Sequence, residues 1–501
     1  MKSQISFMGI NRNIKNISYV TIGLILGKLA GFFKHFFIIK YFGLTYNSDV
    51  FFIANTITEM AINIVLAGLL TGAFIPVASE VFVKFNGKKF SEFVSSAFII
   101  IGGIVLVASL LLYIFSYRLG QIMAPGYQFE QYLMLSNIFK ILSPGILFIG
   151  LAAILRGIMH TLESFIIPAF GLFVANSTTI VSTIAFYHKI GILAPAVGAS
   201  VGFFLWFLMQ VPFTVKYLKF NKLSSIFDVY VKKLFVLCIP AIVVIFLTNL
   251  ILIIEKAVAS TFIEGSVSQL NLAFRIAHVF SSILVIPLAT IILPKMSKYY
   301  GNNDLRNLFV LSEGSIKIVS IIMFSFLCLI ILNDKLIISM FLTILNISST
   351  YLNTISGFLT VYSFAIATLF FYIIIQRIIY STQKIIQLVY ANFLGVVSYV
   401  LVVTIFKSLL NSYVLPIAYF IYALTVVIYL LVIIKTKILS SYPFLLNKTI
   451  FLYGFVVILI SLILKLFVFE KNYLLLLCSI IIIVTYVFIM NKKELLRIKN
   501  I

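Results

Sequence analysis

The sequence predicts an all-α polytopic membrane protein with about 14 transmembrane helices, organised as two six-helix lobes followed by two C-terminal helices. Three observations carry this reading. Mean hydropathy is +1.17 and 62% of residues are hydrophobic, while only 10% are charged, against about a quarter in soluble domains. The apolar residues fall into runs of about 20 or more, separated by short polar breaks. The net charge of +23 is dispersed among those breaks and forms no patch or arm, which fits the positive-inside rule and excludes a nucleic-acid partner.

In chain order the spans fall at residues 17–42, 49–77, 92–117, 132–158, 164–187, 191–217, 232–256, 266–294, 312–342, 350–380, 385–407, 412–434, 448–469 and 473–491. With both termini cytoplasmic, the inner connections and tails hold 24 of the 37 Lys and Arg residues and the outer connections hold 8. That asymmetry sets the orientation. The first span is too long for a signal-peptide core and no small-residue cleavage site follows it, so it is expected to be retained. The longest inner connection, Lys216 to Lys233, marks a lobe boundary. It yields an N-terminal lobe over 1–222 (helices 1–6), a C-terminal lobe over 223–440 (helices 7–12), and two extra helices over 441–501. The second span closes on Pro76 with Ser79 after it, and the eighth on Pro294 with Ser297, as expected of a repeated unit. Two repeated lobes with a site between them are a recurrent transporter plan. Helices thirteen and fourteen carry no cation deep in the span and read as a lipid-facing addition.

Enzyme chemistry finds no support. No Gly-rich phosphate loop occurs, and no outer connection holds the paired acids or histidines that a membrane glycosyltransferase would need. Cys238, Cys328 and Cys478 stand singly in apolar spans and read as packing residues, without a disulfide framework or a metal knuckle.

The informative residues are charges inside spans. Lys28 and Lys34 lie within the first helix, where an ammonium against lipid costs on the order of 3 kcal/mol. Lys40 can snorkel from the helix end, but Lys28 is too deep for that. It either lines a wet interior path, on a face shared with Gly31 and His35, or pairs with an acid such as Glu59. Other charges within spans are Lys140, Arg275, Lys317, Asp49, Glu59 and Glu255, with Lys140 and Lys317 near helix ends and read as interfacial. Arg275 sits near the middle of the eighth helix, where a guanidinium could grip phosphate with two parallel hydrogen bonds. Ser268 and His278 bracket it close to one face; His278 reads either as a ligand or as a packing residue. A net positive pocket suits an anionic headgroup and opposes the cationic cargo of a multidrug antiporter.

Residues 26–54 (LGKLAGFFKHFFIIKYFGLTYNSDVFFIA) and 66–80 (LAGLLTGAFIPVASE) resemble the first two helices of the MviN/MurJ family of lipid II flippases. Residues 255–280 (EKAVASTFIEGSVSQLNLAFRIAHVF) with PLATIILPKMSK after them are similar to that family's seventh-to-eighth helix region, and 144–171 and 194–212 also fit. The resemblance covers about the first 300 residues and, beyond them, only the helix count. It implies inward-open and outward-open arrangements of two lobes around a cationic cavity, through which the headgroup of a lipid-linked anionic glycan crosses the bacterial cytoplasmic membrane. Lys28 and Lys34 occupy the family's two first-helix arginine positions, Asp49 its second-helix acid, Arg275 its eighth-helix arginine and Ser268 a cavity serine. With Glu59 and His278 these form the expected substrate cavity. Glu255 falls where some members place an Asp that binds sodium, so the implied requirement is for no cofactor beyond a coupling cation, sodium or proton. The expected partners are the lipid-linked glycan and membrane lipids, around a monomer. The chain departs from the family at His35, which replaces an acid, at Thr58-Glu59, where Pro-Asn is usual, and at Ile62 and Ala67, which replace charged residues. A flippase for capsule, O-antigen or teichoic precursors would share the architecture with a differently tuned cavity.

Overall fold

The computed structural model describes residues 2–65, 73–85, 89–220, 228–443, 448–467, 479 and 481–482. They are helical almost throughout: α1 (Lys2–Phe42), α2 (Tyr46–Asn63), α3 (Ile75–Lys84), α4 (Phe90–Ile114), α5 (Ser116–Met123), α6 (Phe129–Thr161), α7 (Ile166–Ile190), α8 (Leu193–Leu208), α9 (Val211–Thr214), α10 (Val229–Ala259), α11 (Ser266–Gly301), α12 (Leu305–Leu345), α13 (Leu352–Ser381), α14 (Ile386–Leu410), α15 (Val414–Lys437) and α16 (Lys448–Phe467). Thirteen of the expected spans therefore coincide with helices. The fourteenth, 473–491, lies outside the described residues apart from 479, 481 and 482, as do Cys478 and Ala67. Among the described residues nine helical stretches are long and apolar enough to cross a membrane, one of them running through both α14 and α15.

The described part of the second span comprises α2 and α3, with widened turns at Ile64–Val65 and Ala73–Phe74; residues 66–72 lie outside the described residues. Pro76 stands in the first turn of α3, where its missing N–H leaves no intrahelical bond unmade. The third span likewise ends at Ile114, and a separate short α5 follows.

The chain divides into two compact units, Met1–Ser268 and Gln269–Ile501. The division by packing thus falls beyond α10, which lies against α2, α3, α4 and α5 in the N-terminal unit, whereas the expected lobe boundary followed the inner connection at 222.

Within the N-terminal unit, α1 packs on α7 through Gly23, Gly27 and Gly31, one residue per turn on a single face. A Cβ on Gly23 would stand 3.0 Å from the Phe170 ring, and one on Gly31 would stand 3.2 Å from the Asn176 amide. The close approach is tied by Asn176 Nδ2, which donates to the Gly27 carbonyl at 3.2 Å. Gly43, at φ +70°, ends α1 in the left-handed region open to glycine, and Thr45 then caps α2.

In the C-terminal unit α13 is buried along most of its length between α12 and α15. Asn392 of α14 is held there by the Tyr422 hydroxyl, which donates to its Oδ1 at 2.8 Å, and donates in turn to the Leu388 carbonyl at 2.7 Å. The helix α16 lies on α12, with Ser461 beside Cys328 and the Phe451 ring against Phe324 and Phe371. Its other face exposes Leu452, Phe455, Leu459 and Ile463, as expected of a surface turned to lipid.

Candidate functional site

The glycine stripe decides what the rest of α1 can do. With Gly23, Gly27 and Gly31 turned to α7, Lys28 is exposed. Lys34, two turns on, is 7% exposed and His35 is 3% exposed. Although Lys28 and His35 share a helical face, only the later residue lies within reach of α2.

There the side chains form a connected polar cluster. Lys34 Nζ donates to Asn55 Oδ1 at 3.3 Å, and Thr58 Oγ1 donates to the same oxygen at 3.2 Å. Asn55 Nδ2 donates to Glu59 Oε1 at 2.8 Å, and that oxygen also lies 3.2 Å from His35 Nε2. The His35 ring stacks on Phe52 at 5.3 Å between centroids. Against an ionised carboxylate, which only accepts, His35 Nε2 is the donor of this contact. Sequence reasoning placed Lys34 and Glu59 in the cavity but passed over Asn55 and Thr58. Their positions, one turn and one residue from Glu59, were the available signal.

Asp49 and Ser268 are brought together. Asp49, 3% exposed, accepts from the backbone N–H of Gly265 at 2.9 Å and of Ser268 at 2.7 Å, and from the Ser268 hydroxyl. The carboxylate thereby satisfies N–H groups at the start of α11 that have no intrahelical partner, where the helix dipole also favours negative charge. Ser48 Oγ adds a 2.8 Å contact to Ser268 Oγ, and Glu264 accepts from the Tyr46 N–H at 2.8 Å. Beside them lies a cavity of about 90 Å³ lined by Asp49, Tyr127, Ser260 and Glu264. Burial, together with the nearby Asp49 carboxylate, holds the Tyr127 phenol well above its ordinary pKa, so it stays protonated.

In the C-terminal unit Arg275 is half-buried on α11 and His278 is exposed, its ring 5.5 Å from Phe274. Phe274 packs edge-on against Tyr362 of α13 and Tyr419 of α15, at 5.4 and 5.6 Å. Lys140 is exposed, and Lys317 pairs with Glu313 one turn away at 3.1 Å.

Glu255 is 1% exposed and contacts its neighbour Lys256, 5% exposed, at 3.3 Å. No group of three or more His, Cys, Asp or Glu side chains able to hold a metal occurs among the described residues. A second charge pair, with a buried acid and a half-buried lysine, escaped sequence reasoning. Lys465 of α16 meets Asp334 of α12 at 2.5 Å, and Thr360 Oγ1 donates to the same carboxylate oxygen at 2.7 Å. The signal was an acid and a base at helix ends on the same side of the expected topology.

Residues 38–491 match the profile of the family described as lipid II flippase MurJ. A protein of Buchnera aphidicola subsp. Baizongia pistaciae, named a probable lipid II flippase MurJ, is 26% identical over 349 residues, 67% of this chain and 66% of that one. Alignments with further members span 40–63% of their lengths, so the chain covers less than two thirds of the curated relatives it matches. A solved lipid II flippase MurJ in an inward closed conformation superposes with a TM-score of 0.81 at 22% identity, over 95% of this chain and 99% of that one. An inward-facing multidrug resistance MATE family transporter of the MOP superfamily gives 0.69 at 14% identity, over 89% and 98%. Both likenesses are of fold.

Proposed function

Because the chain belongs to the lipid II flippase MurJ family, we propose that it moves a lipid-linked anionic glycan precursor, lipid II foremost, across the bacterial cytoplasmic membrane by alternating access. The observation that supports this most is the set of cations held inside apolar helices: Lys28 and Lys34 on α1 and Arg275 on α11. A doubly charged headgroup cannot enter hydrocarbon, so fixed cations must replace its hydration part-way across while the polyprenyl tail stays in lipid. Arg275 supplies the planar two-pronged donor that suits phosphate, and Lys28 and Lys34 act as point charges. Ser268 and Asp49 hold the first turn of α11, from which Arg275 projects two turns later. His278 lines the path beside it.

Both termini lie in the cytoplasm, from the basic asymmetry of the connections, and the protein works as a monomer. Its coupling cation is a proton or sodium, with Glu255 as the candidate carrier. If Glu255→Gln leaves the ion dependence of transport unchanged, the coupling lies elsewhere and Glu255 serves only Lys256.

The test is growth of cells depleted of their own lipid II flippase, with membrane protein levels matched by blot. The parent chain is expected to restore growth, Arg275→Ala to fail, and Arg275→Lys to be impaired despite keeping its charge. Full growth on well-expressed Arg275→Ala would overturn the mechanism. No growth on the well-expressed parent would mean that the cargo is another polyprenyl-linked glycan.

A further inference from the structure

We propose that a cavity at one end of the N-terminal unit binds a phospholipid whose headgroup carries both a phosphate and a primary ammonium, the phosphatidylethanolamine type. Lys189 receives the phosphate and Glu130 the ammonium. Neither charge belongs to the proposed cargo path, so the site stands or falls apart from it.

The cavity has a volume of about 560 Å³, within the range of about 300–1,000 Å³ common to small-molecule sites. Helix ends build it. Phe42 closes α1, Glu130 and Leu133 stand in the opening of α6, Lys189 and Ile190 end α7, and Leu193 starts α8. Gly191, at φ +56°, lets the chain reverse within two residues between α7 and α8, which sets Lys189 beside the start of α8. The ends of spanning helices lie at headgroup depth, so this is where the polar part of a lipid stands.

Charge selects the ligand first. Glu130 and Lys189 are both exposed and both line the cavity, and they do not pair with each other. Opposite charges held apart around one space complement a ligand that bears both signs. Each also suits the dipole of its own helix, Glu130 in the first turn of α6 and Lys189 in the last turn of α7. That role accounts for the residue types but not for their meeting at one cavity. No side chain caps α8, whose positive end adds to the attraction for phosphate near Lys189.

The apolar wall selects next. Phe42, Leu133, Ile190 and Leu193 line the cavity, and Ile190 continues into Phe186, 45% exposed and one turn deeper along α7. A soluble zwitterion would gain nothing from that strip, whereas an acyl chain hanging from the bound phosphate would lie along it.

The experiment is native mass spectrometry of the purified full-length chain in detergent. It is titrated in turn with phosphatidylethanolamine, phosphatidylcholine and phosphatidylglycerol of the same acyl chains, and the thermal midpoint of each variant is measured without added lipid. The parent is expected to bind the ethanolamine lipid about 3-fold to 10-fold more tightly than either of the others, because choline has no N–H to donate and glycerol offers Glu130 no cation. Glu130→Gln should lose that preference and bind phosphatidylglycerol at least as well as the parent does. Lys189→Ala should weaken all three by about 3-fold to 10-fold. Arg118→Ala, which removes an exposed charge that does not line the cavity, should bind as the parent does. Equal affinity of the parent for the ethanolamine and glycerol lipids overturns the proposal, as does a parent-like preference in Glu130→Gln. Parent-like binding by Lys189→Ala, or an equal loss in Arg118→Ala, overturns it too. Should a midpoint fall, the headgroup preference of Glu130→Gln decides, since that ratio does not depend on the amount folded.

Discussion

Each unit carries a lysine of an apolar helix close to an acid of a neighbouring one, and the two arrangements are built differently. In the C-terminal unit, Lys465 of α16 contacts Asp334 directly at 2.5 Å, and the carboxylate is completed by Thr360 and by the Lys335 N–H at 2.7 Å. The charges cancel, and what remains is a tie between α16 and the α12–α13 pair. In the N-terminal unit Lys34 contacts the Asn55 carbonyl, and the acid lies beyond it. Direct pairing fastens helices, whereas in the N-terminal unit an amide stands between the lysine and the acid. A lysine within an apolar helix therefore says little by itself, and only its surroundings in the fold say which use it has.

That contrast can be broken most sharply by removing each lysine in turn. Lys34→Ala is expected to abolish growth rescue in flippase-depleted cells at normal protein level, with a transport rate reduced by about 10-fold or more. Lys465→Ala should leave the rate per folded molecule near that of the parent. If Lys465→Ala proves as inactive per folded molecule as Lys34→Ala, the division into fastening and attracting lysines fails.

The next effect is on stability. Lys465→Ala strands Asp334, whose side chain is 5% exposed, and should destabilise the protein by about 2–3 kcal/mol, read as a lower midpoint in denaturant. Replacing both Asp334 and Lys465 by leucine should recover most of that loss, since an apolar pair of similar size removes the stranded charge. A double variant no more stable than Lys465→Ala would show that the tie depends on something other than charge cancellation.

Smaller effects are expected at Lys28, which is exposed on α1. Lys28→Arg should support full growth, because charge is all that the position supplies, and Lys28→Ala should slow transport by about 3-fold to 10-fold. Equal activity of the alanine variant would remove Lys28 from the path. The smallest perturbation tests which face of the membrane is which. A cysteine at Asn47 should react with an impermeant thiol reagent added outside intact cells, and one at Asn302 should not, with transport unchanged in both; both positions are exposed. Outside labelling at Asn302 would invert the orientation.

Hydropathy and spacing by themselves determined the all-helical membrane fold, thirteen of the helix positions, and the suspicion that falls on Lys28, Lys34 and Arg275. The reason is that lipid offers backbone groups no partner, so length and apolarity alone select a helix, and a charge in such a run is costly enough to stand out. Only tertiary structure could decide what each charge touches. Gly23, Gly27 and Gly31 read in sequence as three small residues, yet by meeting α7 they leave Lys28 exposed while Lys34 and His35 are buried beside α2. Ser268 read as a cavity donor, and its N–H and hydroxyl instead go to Asp49, 219 residues away. The Asp334–Lys465 pair spans 131 residues, and only the shared side of the two helix ends hinted at it. Side-chain contacts across such separations depend on how helices turn about their own axes, and a helix that is apolar on every side carries no stripe to fix that rotation in advance.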